Sequence, residues 1–205
     1  MVKSSVGARS GLWTPANVIT VLRIALVPIW LFVAEGSVPT STDGFSLSAL
    51  VVFLGYAFIS LTDKLDGYLA RSRGEVTTFG KFLDPIADKL AVVVAFAYLL
   101  EVGMASSWVL LIIVAREFLV SGLRMVVANE GVVVAASNLG KWKTAVTMVA
   151  ICGLLLCRVL PPSSLEAGLR TFFDVLVWVA VILTAWSGVD YFVKCWPYVA
   201  KGSRG

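Results

Sequence analysis

The sequence predicts an all-α integral membrane protein: six transmembrane helices in one bundle, with both termini cytoplasmic. Three observations predict it. The 205 residues are 59% hydrophobic and only 15% charged, with a mean hydropathy of +0.89, whereas soluble domains carry about 25% charged residues. Apolar runs recur along the chain at the length needed to cross a bilayer core as helix, roughly 20 residues. Of the 17 basic residues, only Arg158 and Arg170 flank the side opposite the N-terminus. That asymmetry keeps the basic half in the cytoplasm.

The first helix is expected at 17–35, NVITVLRIALVPIWLFVAE, after a polar start that lacks a signal-peptide pattern. The second is expected at 46–71 after GSVPTSTDG, and the third at 81–102 after SRGEVTTFG. GMASS then leads to 106–130, EGVVVAAS to 138–160 and PPSSLEAG to 169–195. Each connection carries breakers or polar residues. Six spans return Lys194, Lys201 and Arg204 to the side of the N-terminus. Residues 1–16 thus read as a cytoplasmic segment, 17–196 as one six-helix domain and 197–205 as a cytoplasmic tail, because no polar linker divides the chain. Trp13, Trp142 and Trp196 fall near the cytoplasmic interface, where indole favours a half-wet position. Ordinary packing is the alternative for them. The net charge of +4 fits a cytoplasmic face, not a nucleic-acid footprint. Cys152, Cys157 and Cys195 are odd in number and read as reduced thiols. With no histidine, histidine catalysis and ligation are excluded.

Between the second and third apolar runs lie four aspartates: Asp63, Asp66, Asp84 and Asp88. Asp63 and Asp66 are three apart, and Asp84 and Asp88 four apart, so each pair shares a helical face. The intervening SRGEVTTFG lets the pairs face each other. One carboxylate at mid-membrane depth costs about 2.5–3.5 kcal/mol. A divalent cation offsets both that cost and the mutual repulsion. Oxygen ligands without Cys or His point to a hard ion, Mg2+ or Mn2+. The plainer reading pairs these carboxylates in water with Lys64, Arg71, Lys81 and Lys89. The small residues favour the first reading: Gly67, Ala70 and Gly80 leave bare backbone beside the aspartates, where a ligand can approach.

DKLDGYLAR, an eight-residue gap and GKFLDPIAD together resemble the signature of the CDP-alcohol phosphotransferases, D-x-x-D-G-x-x-A-R-x8-G-x-x-x-D-x-x-x-D. Every defined position matches. The resemblance implies six transmembrane helices and a homodimer. It also implies transfer of a phosphatidyl or similar group from a CDP-linked donor to an alcohol, with release of CMP. It makes Asp63, Asp66 and Asp84 metal ligands, and Asp88 a metal neighbour and the base for the acceptor hydroxyl. Gly67, Ala70 and Arg71 would line the CDP pocket, with Gly80 bare opposite them. Upstream, PANVITVLR puts Asn17, Thr20 and Arg23 three apart on one face. The plainer reading has Asn17 capping the helix and Arg23 snorkelling to the interface. The stretch also matches the family's pattern P-N-x-x-T-x-x-R, which implies a part in holding the nucleotide.

The acceptor is read from IVAREFLVSGLRMVV and SNLGKWKT. Arg116 and Arg124 are eight apart, two turns and about 12 Å along one helix. Lys141 and Lys143 open the next. The plainer reading pairs Arg116 with Glu117 or another carboxylate of the bundle, although Glu117 points roughly 100° away from Arg116 on the same helix and is expected to be a poor partner there. Arg116, Arg124 and Lys141 therefore suggest an acceptor bearing its own phosphate. The segment is similar to that of the bacterial CDP-diacylglycerol–glycerol-3-phosphate 3-phosphatidyltransferases, with GLR for the commoner ALR. That likeness implies CDP-diacylglycerol and glycerol 3-phosphate as substrates in the cell membrane. Phosphatidylinositol-phosphate synthases, or another member of the family, are the nearest alternative. A divalent-cation transporter would explain the aspartates, but not the G-x-x-A-R pattern or the basic set.

Overall fold

The computed structural model describes residues 14–37, 44–73, 77–129 and 138–202; within them the side chains of 63–73 and of Lys141, among a few others, fall outside the described set. The chain forms six α-helices: α1 Pro15–Glu35, α2 Leu47–Arg73, α3 Thr78–Glu101, α4 Ser107–Asn129, α5 Asn138–Cys157 and α6 Ser164–Gly202.

Local chemistry sets the boundaries. Thr14 caps α1 by accepting from Asn17 N at 3.3 Å, and Pro15 takes the first turn, where its missing N–H loses no bond. Asn17 is therefore not the cap that the plainer reading made it. Thr77 caps α3 in the same way through Gly80 N at 2.9 Å, so α3 starts three residues ahead of the expected 81. Beyond the end of α3 at Glu101, Gly103 has a φ of 71° and Met104 N reaches Leu99 O at 2.7 Å, the glycine-terminated close of a helix. α5 stops at Cys157, not 160, ahead of Pro161 and Pro162. α6 begins at Ser164, five residues before the expected 169. Ser163 Oγ accepts from Glu166 N at 3.1 Å, and Ser163 with Glu166 has the spacing of a capping box. A 39-residue α6 is about 58 Å long, well beyond a bilayer core of roughly 30 Å.

α1 packs on α2 and α3, and α6 packs on α4 and α5. The main core draws on all six helices, most of its buried residues coming from α1, α2, α3 and α5. At its centre Trp30 meets Tyr56 and Tyr98 at ring distances of 5.5 and 5.6 Å and donates to Val52 O at 2.8 Å. Gly55 permits this approach, since a Cβ there would stand 2.9 Å from Trp30 Cδ1. Gly153 does the same for α5 and α6, where Phe173 fills its place.

The outer surface is apolar. Phe32, Phe118, Met125 and Trp186 are each at least two-thirds exposed. Trp142 and Trp196 are exposed as well, which disfavours core packing for them, while Trp13 lies outside the described residues. Among the described residues, two helical stretches are long and apolar enough to cross a membrane, Asn17–Glu35 and Ser164–Pro197. α2 and α5 contribute shorter apolar stretches, Leu47–Thr62 and Trp142–Cys157. The difference lies in charge: α3 carries Asp84, Asp88 and Lys89, and α4 carries Arg116 and Glu117, within their lengths.

Candidate active site

α1 and α3 start side by side and run in the same direction, joined by three polar rungs. Asn17 Nδ2 donates to Thr77 Oγ1 at 2.8 Å, and Thr77 Oγ1 donates to Asn17 Oδ1 at 3.1 Å. Thr20 Oγ1 donates to Asp84 Oδ1 at 2.9 Å. Arg23 Nη1 donates to Asp88 Oδ1 at 2.9 Å. Asn17, Thr20 and Arg23 are all buried, Arg23 with only 1% of its side chain exposed, while Asp88 is 44% exposed. Arg23 therefore does not snorkel to an interface. Its charge is buried and met by a carboxylate, the condition under which a buried guanidinium is tolerated. The spacing that places the three α1 residues on one face also places Asp84 and Asp88 on the facing side of α3.

Gly80 explains why the first rung is so short. A Cβ at that position would fall 2.5 Å from Asn17 Oδ1 and 3.2 Å from Thr77 Oγ1. The bare backbone expected there is thus occupied by Asn17 on α1.

Asp63, Asp66, Gly67, Ala70 and Arg71 lie on the last turns of α2, and their side chains fall outside the described residues. Among the described residues no group of three or more carboxylate, thiol or imidazole ligands gathers; two of the four aspartates belong to the undescribed set. The donors present suit a hard divalent ion: Asp84 is exposed, and the Thr20 hydroxyl holds its Oδ1 from behind.

A second polar cluster lies where α3, α4, α5 and α6 meet. Its hub is Glu117. Arg116 Nη1 reaches Glu117 Oε1 at 3.0 Å, Lys143 contacts the same oxygen, and Lys89 Nζ stands 3.8 Å from Oε2. The expectation that Glu117 is a poor partner for Arg116 fails. The two side chains are long enough to bend toward each other across the helix face. Arg116 Nη2 also donates to Ser187 Oγ on α6 at 3.1 Å. Its stem passes Gly188, where a Cβ would stand 3.0 Å from Arg116 Cγ. Lys89 donates to Ser121 Oγ, which donates to Glu117 O at 2.7 Å.

Of the residues expected to bind acceptor phosphate, Arg116 sits in this cluster. Arg124 is exposed two turns along α4 and makes no ion pair among the described residues. Lys141 opens α5, and its side chain falls outside the described residues. The sequence placed Lys143 beside Lys141 but left it out of the acceptor set, and offered Lys89 only as a pairing cation for the aspartates; its place one residue after Asp88 was the signal for it.

Residues 13–186 match the family model described as CDP-alcohol phosphatidyltransferase. A CDP-diacylglycerol–glycerol-3-phosphate 3-phosphatidyltransferase of Bacillus subtilis is 42% identical over 88% of this chain and 94% of its own length. The protein of that name from Haemophilus influenzae is 35% identical over 90% and 92%. A probable phosphatidylglycerophosphate synthase of Mycobacterium tuberculosis is 36% identical over 92% and 85%. A match that takes in both the α1 rungs and the aspartates of α3 shows that the chain belongs to the CDP-alcohol phosphatidyltransferase family, whose members are membrane-bound.

Proposed function

We propose that the chain transfers the phosphatidyl group of CDP-diacylglycerol to the sn-1 hydroxyl of glycerol 3-phosphate, giving phosphatidylglycerophosphate and CMP. The observation that carries this reading is the pinning of Asp84 by Thr20 and of Asp88 by Arg23, at the signature positions of a family that uses CDP-linked donors. The names of the relatives support the choice of acceptor.

In this reading the helices form a six-span bundle with the aspartates, both termini and the catalytic chemistry on the cytoplasmic side, in a homodimer at the cell membrane. Asp63, Asp66, Asp84 and Asp88 would hold Mg2+ or Mn2+, which supplies charge neutralisation on the donor pyrophosphate. The acceptor oxygen attacks the β-phosphorus of the donor. The bond from that phosphorus to the oxygen bridging to the CMP phosphate breaks, and CMP leaves with the electron pair. Asp88 takes the hydroxyl proton, and Arg23 holds its carboxylate toward the acceptor. General-base help of this kind is worth about 10²–10⁴ in rate. Gly67, Ala70 and Arg71 would face the CDP group, and Gly80 would serve it only by leaving room for Asn17 against Thr77. Asn17 and Thr20 would serve it through the α3 residues they hold. Arg116, Arg124 and Lys141 would receive the acceptor phosphate.

The test supplies purified protein with CDP-diacylglycerol and Mg2+, and separately with glycerol 3-phosphate, inositol phosphate, serine or glycerol. CMP release with glycerol 3-phosphate alone is expected. Release with inositol phosphate instead would make the chain a phosphatidylinositol-phosphate synthase. No release with any acceptor, together with divalent-cation flux in vesicles, would make it a transporter.

A further inference from the structure

The cluster around Glu117 is out of charge balance. Among the described residues, Lys89, Arg116 and Lys143 converge on one carboxylate, three cations against one anion, a formal surplus of two positive charges. Arg116, Glu117 and Lys143 are 16%, 17% and 12% exposed and Lys89 35%, so water screens the first three poorly and Lys89 better. Arg116 Nε is buried and finds no acceptor among the described residues, a donor still to be matched. The three cations come from three different helices, α3, α4 and α5. Among the described residues Glu117 is the carboxylate that holds these like charges together, with Ser121 and Ser187 as neutral partners.

We propose that Glu117 is a positioning residue for the acceptor. It draws Lys89, Arg116 and Lys143 to one point and leaves a surplus that a dianionic phosphate neutralises and a neutral alcohol does not. A phosphate monoester carries about −1.5 to −2 near neutral pH, which matches the surplus. Lys89 directly follows Asp88 on α3. One end of the acceptor would thus be held beside the residue that takes the proton from its other end. This adds Lys89 and Lys143 to the groups proposed to receive the acceptor phosphate. The inference rests on the phosphatidyl-transfer reading. Glu117 itself touches no reacting atom.

The test measures CMP release by wild type, Glu117→Gln and Glu117→Asp at varied glycerol 3-phosphate and varied CDP-diacylglycerol, with thermal unfolding followed alongside. In Glu117→Gln the acceptor KM should rise about 10- to 100-fold, the loss of one or two charge-assisted contacts. The donor KM should stay within about twofold. The preference for glycerol 3-phosphate over glycerol, as the ratio of kcat/KM values, should fall by a similar factor. Glu117→Asp, which keeps the charge but retracts it, should fall between the two. An unchanged acceptor KM with a lowered melting temperature would overturn the proposal and make Glu117 a purely structural ion-pair residue. A lower acceptor KM would overturn it too, making the carboxylate a competitor of the phosphate. If Glu117→Gln does not fold, Glu117→Asp alone decides, on whether its acceptor KM rises. Wild type releasing no CMP with any phosphomonoester would instead defeat the transfer reading, a result that no variant can mimic.

Discussion

Arg23 and Asp88 depend on each other. Arg23 is almost wholly buried, so a charge there needs its partner. Asp88→Asn removes the proposed proton acceptor and a counter-charge of Arg23 together. Turnover should fall about 10²–10⁴-fold while donor binding survives. Stability should also drop, by an amount approaching the ~3–5 kcal/mol of breaking a buried pair but lessened by the exposure of Asp88. The double variant Arg23→Gln/Asp88→Asn should regain much of the stability and none of the turnover, as thermal unfolding and CMP release would show. Recovery of turnover in the double variant would remove Asp88 from the role of base. Gly80 gives a second residue-scale expectation. A methyl group there meets Asn17 Oδ1 at 2.5 Å, so Gly80→Ala should cost roughly 1–3 kcal/mol. Adding Asn17→Ala frees the space and should return part of that loss. If Gly80→Ala melts like wild type, α1 and α3 are not as close as the first rung requires.

At the scale of elements, two contacts keep the helices in place. Thr77 both caps α3 and bonds Asn17 on α1. Thr77→Ala should therefore lose more than the ~1 kcal/mol of an ordinary cap, because the buried Asn17 amide also loses a partner. Thr77→Ser, which keeps the hydroxyl, should restore most of it. Equal melting of the Ala and Ser variants would remove the hydroxyl from the account. On the far side of the bundle, Phe173 of α6 occupies the space that a side chain at Gly153 would need, and a Cβ there would be 2.1 Å from the ring. Gly153→Val should part α5 from α6 and lower the melting temperature by several degrees, as overpacking of ~1–3 kcal/mol does in a small domain. Phe173→Leu in the same chain should compensate. The residue spacing made both helices legible, but it gave no sign of how close they come.

At the scale of the whole molecule, the proposed orientation makes a plain prediction. A cysteine placed at Ser5 or Ser203 should react with an impermeant thiol reagent only from the cytoplasmic side, and one at Ser163 only from the other. Cys157 and Cys195 are buried and Cys152 is half-buried, so their background reaction should be slow. Labelling of Ser5 and Ser163 from the same side would break the six-span arrangement. Removing metal should abolish CMP release, and Mg2+ or Mn2+ should restore it, without unfolding the bundle. Activity that withstands exhaustive chelation would end the assignment of the aspartates to an ion.

The all-α class, the order of six helices and the two aspartates of α3 were legible in the sequence. Hydropathy and i,i+3 or i,i+4 spacing act along one helix and need no knowledge of its neighbours. Helix ends were legible less well. Ser163 and Thr77 extend α6 and α3 through caps that look like loop residues until the chain closes on them. What one helix does to another was decided by tertiary structure alone. Arg23 had a candidate place at the membrane interface, and packing of α1 on α3 set it instead, buried, against Asp88. Glu117 looked badly aimed for Arg116, yet it became the meeting point of cations from three helices. The physical reason is that a helix fixes the direction of a Cβ but not the reach of a long charged side chain. Where that side chain ends depends on which partner the neighbouring helices bring within a few ångströms once water has been excluded.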